Sequence, residues 1–475
     1  MTRTLTHTTT KVRIGRVDGV GVVSAFKTWL KRKLGSRRWK ILNSRRWQLW
    51  RALTLDHSAV HWPWMNSATE PNMAQVHNLA LRVDWQFASS KEARLALWVV
   101  SLLWPVVSLI HIRRELRANS DFVTKTHGVS VWRQSWQMLR FASRYNCPPT
   151  SYYMFRLFEP ERAAWILDYV HHYEICNVLP RLNSSKPTRL LDDKRLFHDE
   201  AGRLGLSVPP ITAAFVDGQV EGSLAGKAVR LPERDLVFKA FDLNCGIGFE
   251  RWLYLGNQTW SNGSETLVEQ QLIERCLQRS HEHGCLIQER LFNHPVLEDL
   301  AGSSLSTVRI VTCRRRNGPV SVLLASLRLP TGSAIVDNFE AGGIAAPIDL
   351  RTGTLGNAVA KHLNRGVFRL HPDTGHQITG TVLPMWPEAQ ALAIRAHEQF
   401  NWVAFVGWDV AITPQCPLLL EANPTWGVEL MQRSHDFPLG WTPFARIFAD
   451  HLHAVTERNT RFEHSGSEIT TITNV

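Results

Sequence analysis

The chain predicts an α/β protein, in the broad sense that includes α+β, with a largely helical N-terminal region ahead of a mixed body. Three observations carry this. Short apolar runs at residues 236–240 (LVFKA), 285–289 (CLIQE) and 306–312 (STVRIVT) have the length and β-branched content of strands. Stretches with helical spacing lie among them, at residues 265–280 and 387–400. Before residue 180, by contrast, apolar positions recur at helical intervals, and 12 of the 19 tryptophans lie in residues 1–165.

At 475 residues the chain can build two or three domains with their own cores. A content of 44% hydrophobic and 20% charged residues is globular. The net charge of +12 is local: residues 1–60 hold 14 Lys/Arg against Asp18 and Asp56. The other 415 residues hold 40 basic and 40 acidic side chains, so any affinity for a polyanion belongs to the first 60. Seven cysteines, with no CxxC pair, suit a reducing compartment, and the expected location is cytoplasmic. The first long apolar run starts near Leu95, too late for a secretory leader, and no period of 20–50 residues points to a repeat fold.

Residues 1–26 carry no helical stripe. Between Arg37 and Leu55 the pattern changes, with Trp39, Leu42, Leu49, Trp50 and Leu53 near one helical face and arginines around the rest. A disordered extension, a peripheral contact of residues 27–55 with an anionic membrane at its inner face, and a contact with nucleic acid are all compatible, in that order. Residues 95–110, LALWVVSLLWPVVSLI, are sixteen in number and fall short of the ~20 that a spanning helix needs, so a buried or interfacial helix is expected. Helical spacing returns from Val131 to Val170, through Trp132, Trp136 and Leu139. The expected organisation is a basic tail (1–60), a helical region (61–180), two further units (181–290 and 291–455) and a flexible tail (456–475).

Beyond Pro180, a helical segment from Leu190 stops at Gly205, and a short strand follows at residues 211–216. Lys239 lies on a strand just before a loop with Gly246 and Gly248. Glycines let backbone N–H groups approach phosphate oxygens and a lysine adds a point charge, yet the spacing is neither GxGxxG nor GxxxxGK[ST]. Further strands are expected at 285–289, 306–312 and 322–329. The richest stretch is Phe405 to Trp426, FVGWDVAITPQCPLLLEANPTW, which reads as two strands around a proline-bearing turn. A three-residue turn at 414–416 would set Thr413 against Pro417 and Asp409 against Glu421, with Asn423 on the same face. Two carboxylates and an amide oxygen with no His or Cys favour Mg²⁺ or Mn²⁺, the cations usually bound through carboxylates and substrate phosphates.

The ordered series Asp193-Lys194, Lys239 with its glycine loop, Gln288-Glu289, Arg309, then Asp409, Glu421 and Asn423 resembles the ATP-grasp superfamily. More closely it is similar to the sugar-transfer-associated branch, related to α-L-glutamate ligases. The resemblance covers about residues 180–445 and rests on DDKRLFHDEAGRLGLSVPP, VFKAFDLNCGIGF, LIQERLFNHP, SLSTVRIVT, VDNFEAGGIAAPIDLRTG, HPDTG and VGWDVAIT…LLLEANPTWG. It implies an ATP-grasp fold in the C-terminal two-thirds. Lys194 and Lys239 would contact ATP phosphates, Gly246 and Gly248 would lie in the closing loop, and Gln288 and Glu289 would border the adenine pocket. Asp409, Glu421 and Asn423 would hold Mg²⁺, and Arg309 would neutralise charge on the transferred phosphoryl group. Asn338, Gly342 and Gly343 are candidates for lining the acceptor or acyl site, or form a tight turn. His371 in HPDTG is a turn residue or a base.

The resemblance implies an ATP- and Mg²⁺-dependent ligase that activates a carboxylate as an acyl phosphate, acting on a small molecule or saccharide. The alternatives are a kinase that phosphorylates a hydroxyl and a non-catalytic, membrane-associated nucleotide-binding protein. Nucleic acid is not an expected partner of the body.

Overall fold

The structure is a computed structural model. It describes residues 73–86, 91–183, 189–221, 229–241, 248–332, 334 and 337–469, so the basic tail, its amphipathic stretch and Gly246 lie outside the described residues.

Six helices come first: α1 (Met73–Gln86), α2 (Lys91–His127), α3 (Val131–Tyr145), α4 (Pro149–Met154), α5 (Pro160–Ala164) and α6 (His172–Leu182). The start and stop of α3 are set by the residues at its two ends. The Ser130 hydroxyl accepts from Arg133 N, and Asn146 ends the helix in the left-handed conformation. The tryptophans of its helical pattern nevertheless face outward. Gln134, Met138, Phe141 and Ala142 form the buried side, while Trp132 is 78% exposed. Periodicity fixed the helix but not which stripe meets the core.

The segment expected as one helix from Leu190 is divided into α7 (Arg189–Asp192) and α8 (Lys194–Arg203). Asp193 makes the break, because its carboxylate caps the Arg195 and Leu196 amides at 3.0 and 3.1 Å. Gly205 follows α8 at φ +71°, where a glycine is needed to end the helix.

Two seven-stranded sheets form the body, and every strand pair is antiparallel, which makes the class α+β. The first has the order β2-β1-β7-β3-β4-β5-β6. Its strands are β1 (Ile211–Val216), β2 (Gln219–Glu221), β3 (Leu236–Ala240), β4 (Glu250–Gly256), β5 (Thr259–Ser261), β6 (Thr266–Val268) and β7 (Cys285–Glu289). Helix α9 (Glu269–Ser280) packs on this sheet and buries Leu272 and Cys276 against Trp252 and Phe238. It begins later than the expected residue 265, since 266–268 pair as β6.

The second sheet, β12-β11-β10-β9-β8-β13-β14, carries the stretch from Phe405 to Trp426. After α10 (Pro295–Ala301) come β8 (Thr307–Arg314), β9 (Val320–Leu329), β10 (Ile344–Pro347), β11 (Ala358–Ala360) and β12 (Val367–Phe368). Then follow α11 (Trp386–Gln399), β13 (Phe405–Ile412), β14 (Pro417–Asn423), α12 (Val428–His435) and α13 (Phe444–Ile469). One face packs Trp408 and Val410 against Phe197 of α8 and Leu392 of α11. The other packs Phe405 against Met73 of α1, Val178 of α6 and Phe444 of α13. Covered on both faces, β13 is buried at every position. Helix α13 continues to Ile469, through residues that the sequence set apart as a flexible tail.

Candidate functional site

Asp409 sits in the middle of β13 with Arg309 of β8 as its neighbour on one side and Glu421 of β14 on the other. The expected Asp409–Glu421 pairing is present, but the route to it differs. The connection is one residue longer than expected, so Ile412 rather than Thr413 faces Pro417. A bulge at Leu420 then restores the register before Glu421. Thr413 closes the connection instead, its hydroxyl donating to Cys416 O at 2.7 Å.

A carboxylate this deep needs partners, and the neighbouring strands supply them. Arg309 donates from Nε and Nη2 to the two oxygens of Asp409, the second at 3.2 Å. Arg328 of β9 donates from Nη2 to Asp409 Oδ2 at 2.8 Å. Burial pushes the Asp409 carboxyl up, but the charges of Arg309 and then Arg328 outweigh it and hold it below its ordinary range. Arg328 is shared with Asp337, 3.6 Å away. Asp337 in turn accepts from Thr307 N at 2.8 Å and from the Thr307 hydroxyl at 2.5 Å. Burial raises the Asp337 carboxyl, with Arg328 opposing.

Glu421 is more open, with 28% of its side chain exposed, and Lys194 Nζ lies 3.7 Å from its Oε2. Lys194 reaches it from the first turn of α8. From the first sheet, Lys239 of β3 donates to Gln288 Oε1 of β7 at 3.0 Å. Burial pushes the Lys239 ammonium down to about 8, against the opposing pull of Glu421 and with added push from Lys194. Two lysines from separate elements therefore converge on one carboxylate between the sheets.

Behind them His198 of α8 ties the two sheets together. Its Nε2 lies 2.9 Å from the carbonyl of Leu420, the bulged residue, and its Nδ1 lies 3.5 Å from Gln288 Nε2. Burial pushes His198 down to about 4, and its two ring nitrogens face the carbonyls of Leu420 and Pro209 at 2.9 and 3.1 Å. Gln288 also donates to Pro209 O at 3.1 Å, which commits its amide to holding Lys239 and the β1 approach. Glu289 turns outward to Arg234 at 3.1 Å.

Other sequence candidates fall elsewhere. Gly248, at φ +78°, borders a cavity of about 120 Å³ with Phe238 and Ala240, the face of β3 opposite to Lys239. Asn338 Oδ1 accepts from Glu340 N at 3.0 Å and caps a tight turn closed by Gly342 at φ +110°. A Cβ on Gly343 would meet the carbonyl oxygens of Asp337 and Leu329 at 2.8 and 3.0 Å, so only glycine fits there. That turn follows directly on Asp337 and is thereby tied to the arginines around Asp409. His371 is buried with Nε2 at 2.8 Å from Pro330 O and its Nδ1 facing two backbone amides, a turn staple. A larger cavity, about 420 Å³ between α8 and β1, is lined by His198 and Arg195 but by none of Lys239, Asp409 or Glu421.

Sequence reasoning missed Arg328, Asp337 and His198. Arg328 is the one charge in the apolar run VSVLLASLRL, a signal that a buried partner awaits it.

The donor set fits a hard divalent cation. Among the described residues Glu421 has one long ion pair, and a buried amide atom of the half-buried Asn423, Nδ2, has no partner. Asp409 accepts three N–H bonds, which leaves roughly one of a carboxylate's about four acceptor directions. Glu421 and Asn423 are thus the stronger candidates as ligands, with Asp409 at the edge of the set.

A family model described as sugar-transfer associated ATP-grasp matches residues 176–437. No curated protein matches the chain. Among solved structures, the D-alanine-D-alanine ligase from Coxiella burnetii aligns at 10% identity and TM-score 0.33, over 59% of this chain and 62% of that one. The L-amino acid ligase from Bacillus licheniformis aligns at 10% identity and TM-score 0.30, over 53% and 45%. The N5-carboxyaminoimidazole synthetase from Staphylococcus aureus, complexed with ADP, gives 10% and 0.27, over 50% and 44%. The chain therefore spans less than two thirds of the length of each of these relatives.

Proposed function

The chain belongs to the sugar-transfer associated ATP-grasp family, and we propose that it is an ATP- and Mg²⁺-dependent ligase of the carboxylate–amine type, working on a saccharide or polysaccharide. The observation that carries this reading is the meeting of Lys194, Lys239 and Glu421 between the two sheets, beside Asp409. Phosphoryl transfer is mostly positioning and charge stabilisation, and cations aimed at one open point are what it requires. Lys194 and Lys239 take the phosphates of ATP. Glu421 and Asn423, with Asp409, would hold Mg²⁺, which supplies charge neutralisation for the phosphates. Arg309 and Arg328 act one step back by fixing Asp409.

In the reaction, a carboxylate oxygen of the substrate attacks the γ-phosphorus and ADP leaves. The resulting acyl phosphate is attacked by an amine, and phosphate departs as the amide forms. No side chain of the protein needs to be a covalent nucleophile, because positioning and the cationic field do the activation. The test is calorimetric titration of a non-hydrolysable ATP analogue with Mg²⁺ into the wild type and Glu421→Gln. Binding to the wild type, weakened about tenfold or more in the variant and lost with EDTA, is expected. A folded wild type that binds no nucleotide overturns the proposal.

A further inference from the structure

We propose that the outward faces of α2 and α3 form a docking surface for an anionic lipid bilayer. On α2, Trp104, Ser108 and Ile112 are buried, and four-residue spacing puts them on one side of the helix. The opposite side carries Val106, Leu109 and Ile110, which are 57%, 53% and 66% exposed. On α3, Met138 and Phe141 are buried, while Trp132 and Trp136 are 78% and 58% exposed. Ile112, Met138 and Phe141 belong to one shared core, and Trp104 Nε1 donates to Ala142 O at 3.0 Å. The two helices are thus a packed pair with their inner faces committed, and the large apolar side chains left over point away from that core.

Five such side chains on two paired helices exceed the scattered single apolar residues of an ordinary surface. Their surroundings decide the occupant. Residues 104–145 hold seven Lys/Arg against Glu115 and Asp121. Arg113 and Arg117 follow the apolar face of α2, Arg133 and Arg140 flank the tryptophans of α3, and all four are exposed. A protein partner of ordinary composition would not demand this excess of one sign. Tryptophan at the headgroup level, aliphatic side chains just below and arginines reaching phosphates are the chemistry of an interfacial helix on an anionic membrane. The surface is distinct from residues 27–55, and residues 95–112 of α2 carry no Asp, Glu, Lys or Arg to oppose it. Among the described residues no helix is long and apolar enough to cross a membrane, so the contact proposed lies on the surface.

The pair is also joined to the catalytic body. Leu363 packs into the core that α2 and α3 share, and Arg365, two residues on, donates to Gly342 O in the turn after Asp337. A bilayer on this face would bring lipid-borne substrates toward that turn.

The test is flotation of the full chain with vesicles of phosphatidylcholine alone or mixed with phosphatidylglycerol, at about physiological ionic strength. The wild type is expected to float with the mixed vesicles and at least about tenfold less with the neutral ones. Trp132→Ser/Trp136→Ser and, separately, Leu109→Ser/Ile110→Ser are each expected to cut that binding about tenfold with unchanged circular dichroism. Should one pair disturb folding, the other decides. Binding by either folded variant within about twofold of the wild type would mean that the face is not the contact and overturns the proposal. So would a wild type that ignores vesicles, or a dimer in vesicle-free buffer that the variants convert to monomer. Vesicle binding requires no nucleotide, so failure here leaves the ligase reading untouched.

Discussion

Lys239 is expected to weaken the fold that it serves, and replacing it by Met measures by how much. Its ammonium ordinarily titrates near 10.5 and is pushed to about 8, chiefly by burial. Between those values the unfolded chain holds a proton that the folded chain has released. Stability therefore rises with pH across that window, and below about 8 the folded state bears the whole cost. At ~1.4 kcal/mol per pH unit the upper bound is between about 3 and 4 kcal/mol. Lys239 is only half-buried, and solvent screening brings the figure nearer to about 2 kcal/mol. Met fills the place of the stem without the charge, but leaves Gln288 Oε1 without its donor at a cost of about 1 kcal/mol. Lys239→Met should then be about 1 kcal/mol more stable than the wild type near neutral pH, and should lose that advantage as pH rises toward about 10.

The assay is urea unfolding of both proteins at a series of pH values, paired with nucleotide titration, where the variant should bind at least about tenfold more weakly. Greater stability with lost binding is the signature of a cation held for a ligand rather than for the fold. If the variant is less stable at neutral pH, or if the difference does not move with pH, Lys239 is an ordinary structural lysine and the phosphate role fails with it.

Asp409→Asn should cost about 3–5 kcal/mol in urea unfolding, because it leaves the nearly buried Arg309 without its counter-charge and Arg328 with Asp337 alone. Glu421→Gln should stay within about 1 kcal/mol of the wild type by the same measurement while still losing nucleotide affinity. Gly407→Ala would place a Cβ 2.6 Å from Trp426 Cβ, directly across from Asn423, and should lower stability by about 2 kcal/mol or more in the same unfolding assay. His171, His198, His397 and His435 are each pushed from 6.5 to about 4 by burial, so stability is lost as pH falls from about 6.5 toward 4. Circular dichroism should show unfolding beginning above about pH 4.5, and a fold intact below that point would show that these rings are not held neutral.

The sequence made the pairing of Asp409 with Glu421 legible through two departures that cancel. A turn one residue longer than expected shifts the register, and the bulge at Leu420 shifts it back. Nothing in Leu418-Leu419-Leu420 marks a bulge, since no glycine or turn residue stands there. What accompanies it is His198 on a helix more than two hundred residues earlier, bonded to the Leu420 carbonyl. Strands and the helix stop at Gly205 were readable because their causes are local, whereas the break at Asp193 was not read, although its cause, one carboxylate on the Arg195 and Leu196 amides, is as local. Arg328 and Asp337 were missed for the opposite reason, since their meaning comes from strands that pair far from one another in sequence. Trp132 and Trp136 show the same limit on the surface. Periodicity gives a helix and its stripes, but only the packing of α2 and α3 decides which stripe is left outside.

The helices before residue 180 also bear on the chemistry, although no residue of the proposed site comes from them. With α1 and α6 packed on its second face, β13 has no side open to water, and an acid in its centre would be costly if left ionised and alone. Arg309 and Arg328, from β8 and β9, hold it ionised and so consume most of its capacity to bind anything else. Glu421 lies one strand further out, at the sheet edge, where among the described residues Lys194 alone pairs with it, over 3.7 Å. The labour is therefore divided between the two carboxylates. Asp409 fixes the geometry, Glu421 stays available, and the Asp409→Asn and Glu421→Gln pair separates the two roles because only the first should cost the fold.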